Sequence, residues 1–439
     1  MAEIQAFRGY RYDLGRVGAL QDVVAPPYDV IVPALQQTLY QRSPYNVIRL
    51  ILNQDEAGDN ETNNRYTRAV RFLRDWQRDG ILRQDSARAL YVYEQEFEIE
   101  GRSFTRVGFM ARVRLEPFGQ GNIFPHEETM PGPKADRLNL FRATGMNLSP
   151  VFGLFPDEKN EARPILDAAI KRSPPLEATD HLGVVHRLWL LTDQQLVSRL
   201  TGLLGPKLIF IADGHHRYET GLKYLEERRA ARDPQATNPD GAANFILMML
   251  VSMSDPGLVI LPTHRLMSGL PNTTSAHLRD LMRNHFQMEE ISRGEEGARN
   301  TWDLLEAEGS QSALGFGTVG DGVWQIGRFI GDPKIMEKQA SEHSLEWRKL
   351  AVSLLHVLVL GKLLDEEFRR PPELRYVHLL REVHEAVISK SCQLAVLVPA
   401  ATMQHVEQIA GNREKMPPKS TYFYPKLLSG LVFNPLSGN

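Results

Sequence analysis

The sequence predicts an α+β protein. Helical patterns alternate with short strands along the 439 residues, and the long apolar runs typical of parallel sheets are few. Residues 89–98 and 103–115 are rich in Tyr, Phe and Val, and the short turn Glu100-Gly101-Arg102 joins them, so they predict an antiparallel hairpin. Together these observations favour α+β over a doubly wound parallel sheet.

The elements of the first half are predicted from periodicity and capping signals. Residues 1–55 are rich in proline and are predicted to be strand and turn. Thr192 and Gln195 make a capping box for a helix that ends near Leu204. The other predicted helices are 64–79, which stops at Gly80, 135–144 and 157–171. The predicted strands are 46–52, 149–155 and 184–191.

The second half continues the same alternation. Residues 233–242 are polar and rich in helix breakers, which predicts a mobile loop. The predicted helices are 218–232, 274–286, 295–308 and 354–368. The predicted strands are 245–253 and 392–399, with a hairpin over 315–329. We expect two regions, residues 1–240 with the hairpin and the candidate site, and a C-terminal α+β region over residues 241–439.

Composition and charge are those of a soluble globular protein. The net charge is −3, from 51 basic and 54 acidic residues, which argues against a DNA-coating surface. The single cysteine, Cys392, cannot form an internal disulfide, and the apolar run beside it predicts a buried thiol. We find neither a signal-peptide pattern nor an apolar stretch long enough to cross a membrane. We therefore expect a cytoplasmic protein, with no membrane partner.

The segment Lys207–Gly221 is the most informative part of the chain. A short apolar strand runs directly into Asp213-Gly214-His215-His216-Arg217, and a helix follows. Backbone N–H groups and the dipole at a helix N-terminus favour anions. Gly214 permits an unusual turn, and Arg217 carries the planar fork that suits phosphate. The alternative is an ordinary Asp-Gly turn with solvated side chains, but the attached His-His-Arg favours a phosphate site.

The box Asp213–Arg217 resembles the phosphate-binding box of the ParB/sulfiredoxin superfamily, and ParB-like free-serine kinases have the same Asp-Gly-His-His-Arg order. Motifs along the chain carry a second resemblance: Ala6-Phe-Arg-Gly-Tyr10, Ala25-Pro-Pro-Tyr-Asp-Val30, His126-Glu-Glu-Thr129 with Lys134-Ala-Asp-Arg137, the box, Leu261-Pro-Thr-His-Arg265 and Met416-Pro-Pro-Lys-Ser-Thr421. On these motifs the chain is identified, over nearly its full length, as a member of the family named domain of unknown function 1015. The resemblance implies a ParB/sulfiredoxin-like core with large insertions, and phosphate chemistry without a defined substrate.

A second candidate site is His126-Glu127, followed by Lys134 and Arg137. A carboxylate beside a histidine can act as a general base or hold a divalent cation, and Mg²⁺ bound with a nucleotide uses only one or two protein carboxylates. We expect Glu127 and Asp213 as metal ligands and this loop in the same cleft as the box. The alternative is an acidic surface loop whose charges pair with Lys134 and Arg137.

A third candidate is Lys419, in Met416-Pro-Pro-Lys-Ser-Thr421. The glycines of a P-loop are missing, so we reject that motif. Lys419 or Lys426 could still reach an anionic ligand from this segment, or form a basic surface strand. Weaker candidates, each more often structural, are the Pro26–Asp29 turn and His264-Arg265.

Together these residues favour a nucleotide-dependent phosphotransferase that acts on a small hydroxylated metabolite, serine or phosphoserine first. Gly214, His216, Arg217, Lys134, Arg137 and Lys419 would bind phosphate, with ATP or ADP and Mg²⁺ as cofactors. Asp213, Glu127, His126, His215 and His216 are the predicted catalytic residues. His215 stands where sulfiredoxins have their reactive cysteine, which excludes sulfiredoxin chemistry. The alternatives are a ParB-like nucleotide switch and a phosphatase that uses the same residues, and a homodimer is left open.

Overall fold

The computed structural model describes residues 2–128, 131–271, 273–294 and 296–436. The chain divides into two compact units. Unit 1 comprises Met1–Pro125, Thr129–Val259 and Pro425–Asn439, and unit 2 comprises His126–Glu128 and Ile260–Tyr424. Both contain helices and sheets, which confirms the predicted α+β class. The predicted boundary at residue 240 lies within the second segment of unit 1, and the predicted division stays a prediction.

Unit 1 is built on a mixed sheet that has nine strands among the described residues. Eight strands follow one another across it in the order Ile123–Pro125, Ile209–Asp213, Val151–Phe155, Phe245–Ser252, Arg102–Arg114, Leu90–Ile99, Val185–Leu191 and Leu176–Thr179. The ninth strand, Ile4–Gln5, pairs with Arg102–Arg114. The parallel pairs are Ile209–Asp213 with Ile123–Pro125 and Phe245–Ser252 with Val151–Phe155. The shorter strands are Tyr10–Tyr12, Leu82–Gln84, Met146–Asn147 and Asn434–Pro435.

Helices cover this sheet, and apolar side chains from both form one core. Phe109, Val151, Ile209, Ile211 and Tyr218 are all at most 2% exposed within it. The helices of unit 1 are Leu14–Val17, Pro33–Arg42, Ile48–Ile51, Arg65–Arg78, Pro131–Thr144, Arg163–Ile170, Gln194–Leu204, His215–Ala230 and Pro234–Thr237. We call Ile209–Asp213 the box strand and His215–Ala230 the box helix.

Unit 2 is built on an antiparallel sheet. The order of the strands described in it is Phe286–Arg293, Val323–Phe329, Ala313–Thr318, Leu394–Leu397, His264–Ser268 and Glu373–Val377. Strands Val259–Leu261 and Tyr422–Tyr424 lie near the two ends of its long segment. The helices are Ser275–Met282, Gly297–Glu308, Lys334–Gln339, Leu345–Arg348, Ala351–Ser353, the π-helical Leu354–Leu364, Asp365–Phe368, Leu380–Ile388 and Met403–Gly411. Apolar clusters lie on both faces of this sheet.

Several predicted elements are confirmed. The hairpin forms as Leu90–Ile99 and Arg102–Arg114, and the second hairpin as Ala313–Thr318 and Val323–Phe329. Cys392 is a buried free thiol, as expected. None of the helices described is long and apolar enough to cross a membrane.

The predicted strand over 46–52 is wrong, because this run forms the short helix Ile48–Ile51. Asn46 fixes the turn: its side-chain NH₂ donates to the carbonyls of Asp22 and Val24, and its Oδ1 accepts from the Ile48 N–H at 2.9 Å. Ile48, Leu50 and Ile51 are all at most 1% exposed. An apolar run that is buried on every side carries no periodicity that separates strand from helix.

Other boundaries also differ from the prediction. Asp193, not Thr192, caps the helix Gln194–Leu204, because its carboxylate accepts from the N–H groups of Gln195 and Leu196. The helix predicted over 274–286 ends at Met282, and the strand Phe286–Arg293 follows. The helix predicted from 157 begins at Arg163, and Pro33–Arg42 is a helix inside the region predicted to be strand and turn. Residues 234–237 of the predicted loop are helical, capped by Asp233.

Candidate functional site

The box strand ends at a sharp turn. It lies between Ile123–Pro125 and Val151–Phe155, so Asp213 emerges from the interior of the sheet, opposite Phe152. Gly214 then adopts φ +86°, in the left-handed region that favours glycine. A Cβ at Gly214 would lie 2.9 Å from the guanidinium carbon of Arg217. The turn therefore requires glycine at this position for two reasons, the backbone angle and the close approach of Arg217.

The box helix starts immediately after this turn, since the Tyr218 N–H bonds to the Gly214 carbonyl at 3.0 Å. Gly214 is the N-cap residue and offers no side chain to the first-turn amides. The first N–H groups of a helix have no acceptor inside it, and the helix dipole makes this end positive. The sequence analysis expects an anion site at this helix N-terminus; the structure has the glycine turn and the helix start there, and the anion site stays a prediction.

Asp213 lies at the centre of a cluster of charges. Its carboxylate accepts from the Arg217 Nη2 at 2.8 Å and from the Lys426 Nζ at 3.1 Å, and its side chain is 17% exposed. Burial alone would raise the pKa of Asp213, but the charges of Lys426 and Arg217 outweigh burial and hold the pKa well below its ordinary value. Asp213 is therefore a carboxylate at neutral pH that holds two cations in place.

Arg217 is buried, with its side chain 6% exposed. Its Nη1 donates to the Pro150 carbonyl, and its Nη2 donates to Asp213. The guanidinium thus links the box helix to the start of the strand Val151–Phe155 and to Asp213. Of the two histidines, His215 is buried and in its protonated form helps to lower the pKa of Asp213, while His216 is half-buried.

Lys426 is positioned by a buried arginine that was not among the predicted site residues. Arg106 is completely buried, and its Nη2 donates to the Pro425 carbonyl at 2.5 Å. Its Nε donates to Gln95 Oε1 at 3.1 Å, and the Gln95 amide donates to the Lys426 carbonyl. Burial lowers the pKa of Arg106 to about 10. Arg106 is one of four arginines in the strand Arg102–Arg114, so residue type alone does not single it out in the sequence.

Tyr28 adds a hydroxyl to the same cluster. It follows the buried Pro26 and Pro27, which fix the extended backbone before the turn Tyr28–Val30. The pKa of Tyr28 is raised to about 12, chiefly by burial; Asp29 and Asp213 act in the same direction, and the charges of Arg137 and Arg217 oppose them. The hydroxyl thus feels the charges of the Asp213 cluster and stays a neutral hydrogen-bond donor at neutral pH.

Arg137 and Lys134 of the second candidate site lie in unit 1, on the helix Pro131–Thr144. The Arg137 guanidinium stacks on the Tyr28 ring at 3.9 Å, and its Nη1 donates to the Ile51 carbonyl at 2.8 Å. Lys134 forms an ion pair with Glu219 of the box helix. Both residues hold this helix to its neighbours, and their predicted binding of phosphate stays a prediction.

His126 and Glu127 belong to unit 2, where they pair with the Met416–Thr421 segment. The Glu127 carboxylate accepts from the N–H groups of Lys419 at 2.8 Å, Ser420 at 3.2 Å and Thr421 at 3.4 Å. Lys419 has φ +61°, which turns these successive amides toward one point. Such a nest binds anions, and here the anion is Glu127. His126 is buried, and its Nε2 lies 2.7 Å from Thr421 Oγ1.

The motif residue Arg265 joins the same cluster in unit 2. It is completely buried, and its Nη2 donates to the Lys419 carbonyl at 2.9 Å. Burial lowers the pKa of Arg265 to about 10, against the opposing effects of Tyr376 and Glu127. The pKa of His264 is lowered to about 3, chiefly by burial and with smaller electrostatic effects of His378 and Arg265. Three sequence motifs thus meet around one buried guanidinium.

The expected metal site stays a prediction. The oxygens of Asp213 and Glu127 accept from cations and amides of the protein. Within the described ranges, no group of three or more His, Cys, Asp or Glu side chains could hold a metal ion. Glu127 lies in unit 2 and Asp213 in unit 1, so a shared cleft also remains an expectation.

Comparisons with known proteins identify a family. No curated protein matches the chain significantly. A free serine kinase variant in complex with ADP is 12% identical over 69% of this chain and 84% of its own, with a TM-score of 0.34. A conserved hypothetical protein from Pyrococcus furiosus is 12% identical over 69% of this chain and 87% of its own, with a TM-score of 0.33.

C-terminally truncated SbnI from Staphylococcus aureus is 10% identical over 74% of this chain and 87% of its own, with a TM-score of 0.33. At these scores we draw no conclusion from the structural similarity. The sequence match is stronger, because the model of a protein family of unknown function, DUF1015, covers residues 4–345. The chain belongs to the DUF1015 family.

Proposed function

We propose that this protein transfers a phosphoryl group between a nucleotide, ATP or ADP, and a small hydroxylated metabolite, with serine or phosphoserine the first candidate. The observation that carries the proposal is the turn at Asp213-Gly214, which opens the box helix beside two cations. Phosphoryl transfer is catalysed mainly by positioning and by stabilising negative charge, and this turn supplies amides and cations for both. In line with this chemistry, we infer a ParB/sulfiredoxin-like core for unit 1.

The structure supports different roles for the two cations. Arg217 is held by Asp213 and the Pro150 carbonyl, so its main role is to shape the turn. Lys426 is more exposed, at 12% of its side chain, and it comes from a separate C-terminal segment. An ammonium on a flexible four-carbon stem can exchange Asp213 for a phosphate oxygen, because the second anion takes the place of the first. We therefore assign direct phosphate contact to Lys426 and His216, with the amides of the first turn.

The base that accepts the hydroxyl proton must be a carboxylate that can take up a proton. Asp213 has a lowered pKa, which makes it a weak base and suits it to holding cations. Asp29 is exposed and follows Tyr28, whose hydroxyl feels the Asp213 cluster. Within unit 1 we therefore add Asp29 to Asp213 as a second candidate for the base. The catalytic and metal roles predicted for His126 and Glu127 remain part of the proposal, to be separated by substitution.

Mg²⁺ would enter with the nucleotide, whose phosphates and waters supply most of its ligands. The protein then needs to provide only one or two carboxylates, and Asp213, or Glu127 of unit 2, would fill that role. Its chemistry would be to neutralise charge on the transferred phosphoryl group. A dependence of nucleotide affinity on Mg²⁺ in the wild-type protein, reduced in Asp213→Asn, would identify such a ligand.

The test is an assay of phosphoserine formation from serine with ATP or ADP, together with phosphate release from phosphoserine. Lys426→Gln should lower turnover, because it removes a cation assigned to phosphate. Asp29→Asn should lower turnover by about 10²–10⁴-fold if Asp29 is the base. Lys223→Gln is the matched control, because Lys223 lies on the box helix with 58% of its side chain exposed. If neither direction proceeds with any nucleotide, while bound nucleotide changes the shape of the protein, the protein is a nucleotide switch instead.

A further inference from the structure

Unit 2 contains a cavity of about 470 Å³, separate from every residue of the box. Its walls include the apolar side chains of Phe329, Met336, Leu345 and Leu354. Met336 and Leu354 are 3% and 2% exposed and belong to the core of unit 2, whereas Leu345 is 49% exposed at the opening. Small-molecule sites have volumes of about 300–1,000 Å³ and predominantly apolar walls. The cavity is thus large enough for a small ligand, and core residues form part of its wall.

Three cationic side chains line the same cavity: Lys334, Arg348 and Lys349. None of them has an ion-pair partner among the residues that the structure describes. Glu337 is the acidic residue of the lining, so the positive charges exceed the negative. Cations beside an apolar wall attract an anion and raise its local concentration. The charge of the lining therefore selects for a negatively charged ligand.

The neutral polar groups of the lining are already engaged. The Gln311 side chain donates to the Ala400 carbonyl at 3.0 Å and accepts from the Ala351 N–H at 3.1 Å. Ser310 and Ser312 are hydrogen-bonded to each other at 2.8 Å. A heterocyclic base or a sugar carries polar groups along its whole body, and the apolar wall of Phe329, Met336 and Leu354 offers them no partner, which is costly. A hydrocarbon body has no such requirement.

We propose that this cavity binds a small amphipathic anion, with a hydrocarbon body against Phe329, Met336 and Leu354 and a carboxylate head at Arg348 and Lys349. An alkyl carboxylate of medium length has this chemistry. The site is independent of the proposed phosphotransferase site, because it shares no lining residue with the box. It adds a ligand class that phosphoryl transfer does not require.

Calorimetric titration of the full-length protein with octanoate tests the proposal, and octanol serves as the neutral probe of the same chain length. Octanoate should bind at least about tenfold more tightly than octanol, because its carboxylate adds charge-assisted hydrogen bonds to Arg348 and Lys349. The double variant Arg348→Gln/Lys349→Gln should weaken octanoate binding by about tenfold or more and leave octanol binding unchanged. Lys338→Gln is the matched control, because Lys338 lies on the same helix as Lys334 but outside the lining.

Ser312→Trp gives a second test that leaves all the cations in place. Ser312 is exposed at the edge of the cavity, and an indole there would fill the space and abolish binding of both probes. Equal affinity for octanol and octanoate, unchanged octanoate affinity in the double variant, or no octanoate binding at millimolar concentration would overturn the proposal. Displacement of octanoate by ATP would also overturn it, because the cavity would then accept nucleotides. Loss of phosphoserine formation has no bearing on this result.

Discussion

Replacing Asp213 by Asn tests whether this carboxylate holds the cluster of unit 1 together. Asn keeps the shape of the side chain but removes the charge that faces Arg217 and Lys426 at 2.8 and 3.1 Å. Both cations would then be left with little solvent, because their side chains are only 6% and 12% exposed. Removal of one partner from a buried ion pair costs about 3–5 kcal/mol. We expect the low end, about 3 kcal/mol, because Arg217 keeps the Pro150 carbonyl.

The assay is denaturant unfolding of the full-length protein, with the transition of unit 1 followed separately from that of unit 2 because two-state behaviour is not assured. Asp167→Asn is the matched control. Asp167 forms an ion pair with Arg163, and the two side chains are 39% and 32% exposed, so loss of this pair should cost at most about 1 kcal/mol of stability. The pH dependence gives a second readout. The folded-state pKa of Asp213 is lowered, so its contribution is present above the unfolded pKa of about 3.9 and is lost as the pH falls through the folded value.

The difference between wild type and Asp213→Asn should therefore be constant near neutral pH and should shrink in acid below about pH 4. A cost below about 0.5 kcal/mol at pH 7, comparable to a surface substitution, would refute this reasoning. It would mean that the two cations are solvated or paired elsewhere when Asp213 is neutral.

Three further outcomes follow from the same structure. Gly214→Ala should destabilise the protein by about 1–2 kcal/mol and weaken nucleotide binding, because the left-handed backbone and the nearby Arg217 both exclude a Cβ. Thermal unfolding measures the loss of stability, and calorimetry measures the loss of nucleotide affinity. Lys426→Gln should lower nucleotide affinity by about tenfold or more while Lys223→Gln leaves it unchanged, and equal affinities would remove Lys426 from the site. Glu127→Gln should destabilise the Met416–Thr421 segment by about 1–3 kcal/mol, which amide hydrogen exchange at Ser420 measures. Unchanged exchange together with lost turnover would show that Glu127 is catalytic instead.

Local patterns predicted the part of the site that lies on consecutive residues. The box strand, the turn at Gly214 and the box helix occur where the sequence places them, because glycine and the apolar strand signal are local. The residues that surround Asp213 were harder to predict. Lys426 comes from a segment more than two hundred residues away, and Arg106, which holds the Pro425 carbonyl, comes from the middle of the hairpin. The sequence names Lys426 as a cation that could reach an anionic ligand, but only the fold shows that it pairs with Asp213 and that Arg106 lies behind it.

The Lys419–Thr421 segment shows why rejecting a motif does not settle its geometry. The missing glycines argued against a P-loop, yet the backbone still forms an anion nest, because Lys419 adopts the left-handed conformation itself. Glu127 occupies the nest, so the carboxylate predicted as a base accepts three backbone hydrogen bonds. The predicted strand over 46–52 failed for a related reason, since the contacts of Asn46 with residues 22 and 24 decide that conformation.

A crystal structure of the full-length protein with ADP and Mg²⁺ tests the central claim most directly. The claim is that the turn at Asp213-Gly214 binds the phosphates of a nucleotide. We predict phosphate oxygens within about 3 Å of the first-turn amides of the box helix, with the Lys426 ammonium within hydrogen-bond distance of one of them. ADP bound elsewhere, with Lys426 still on Asp213 and no anion at Gly214, would contradict the account.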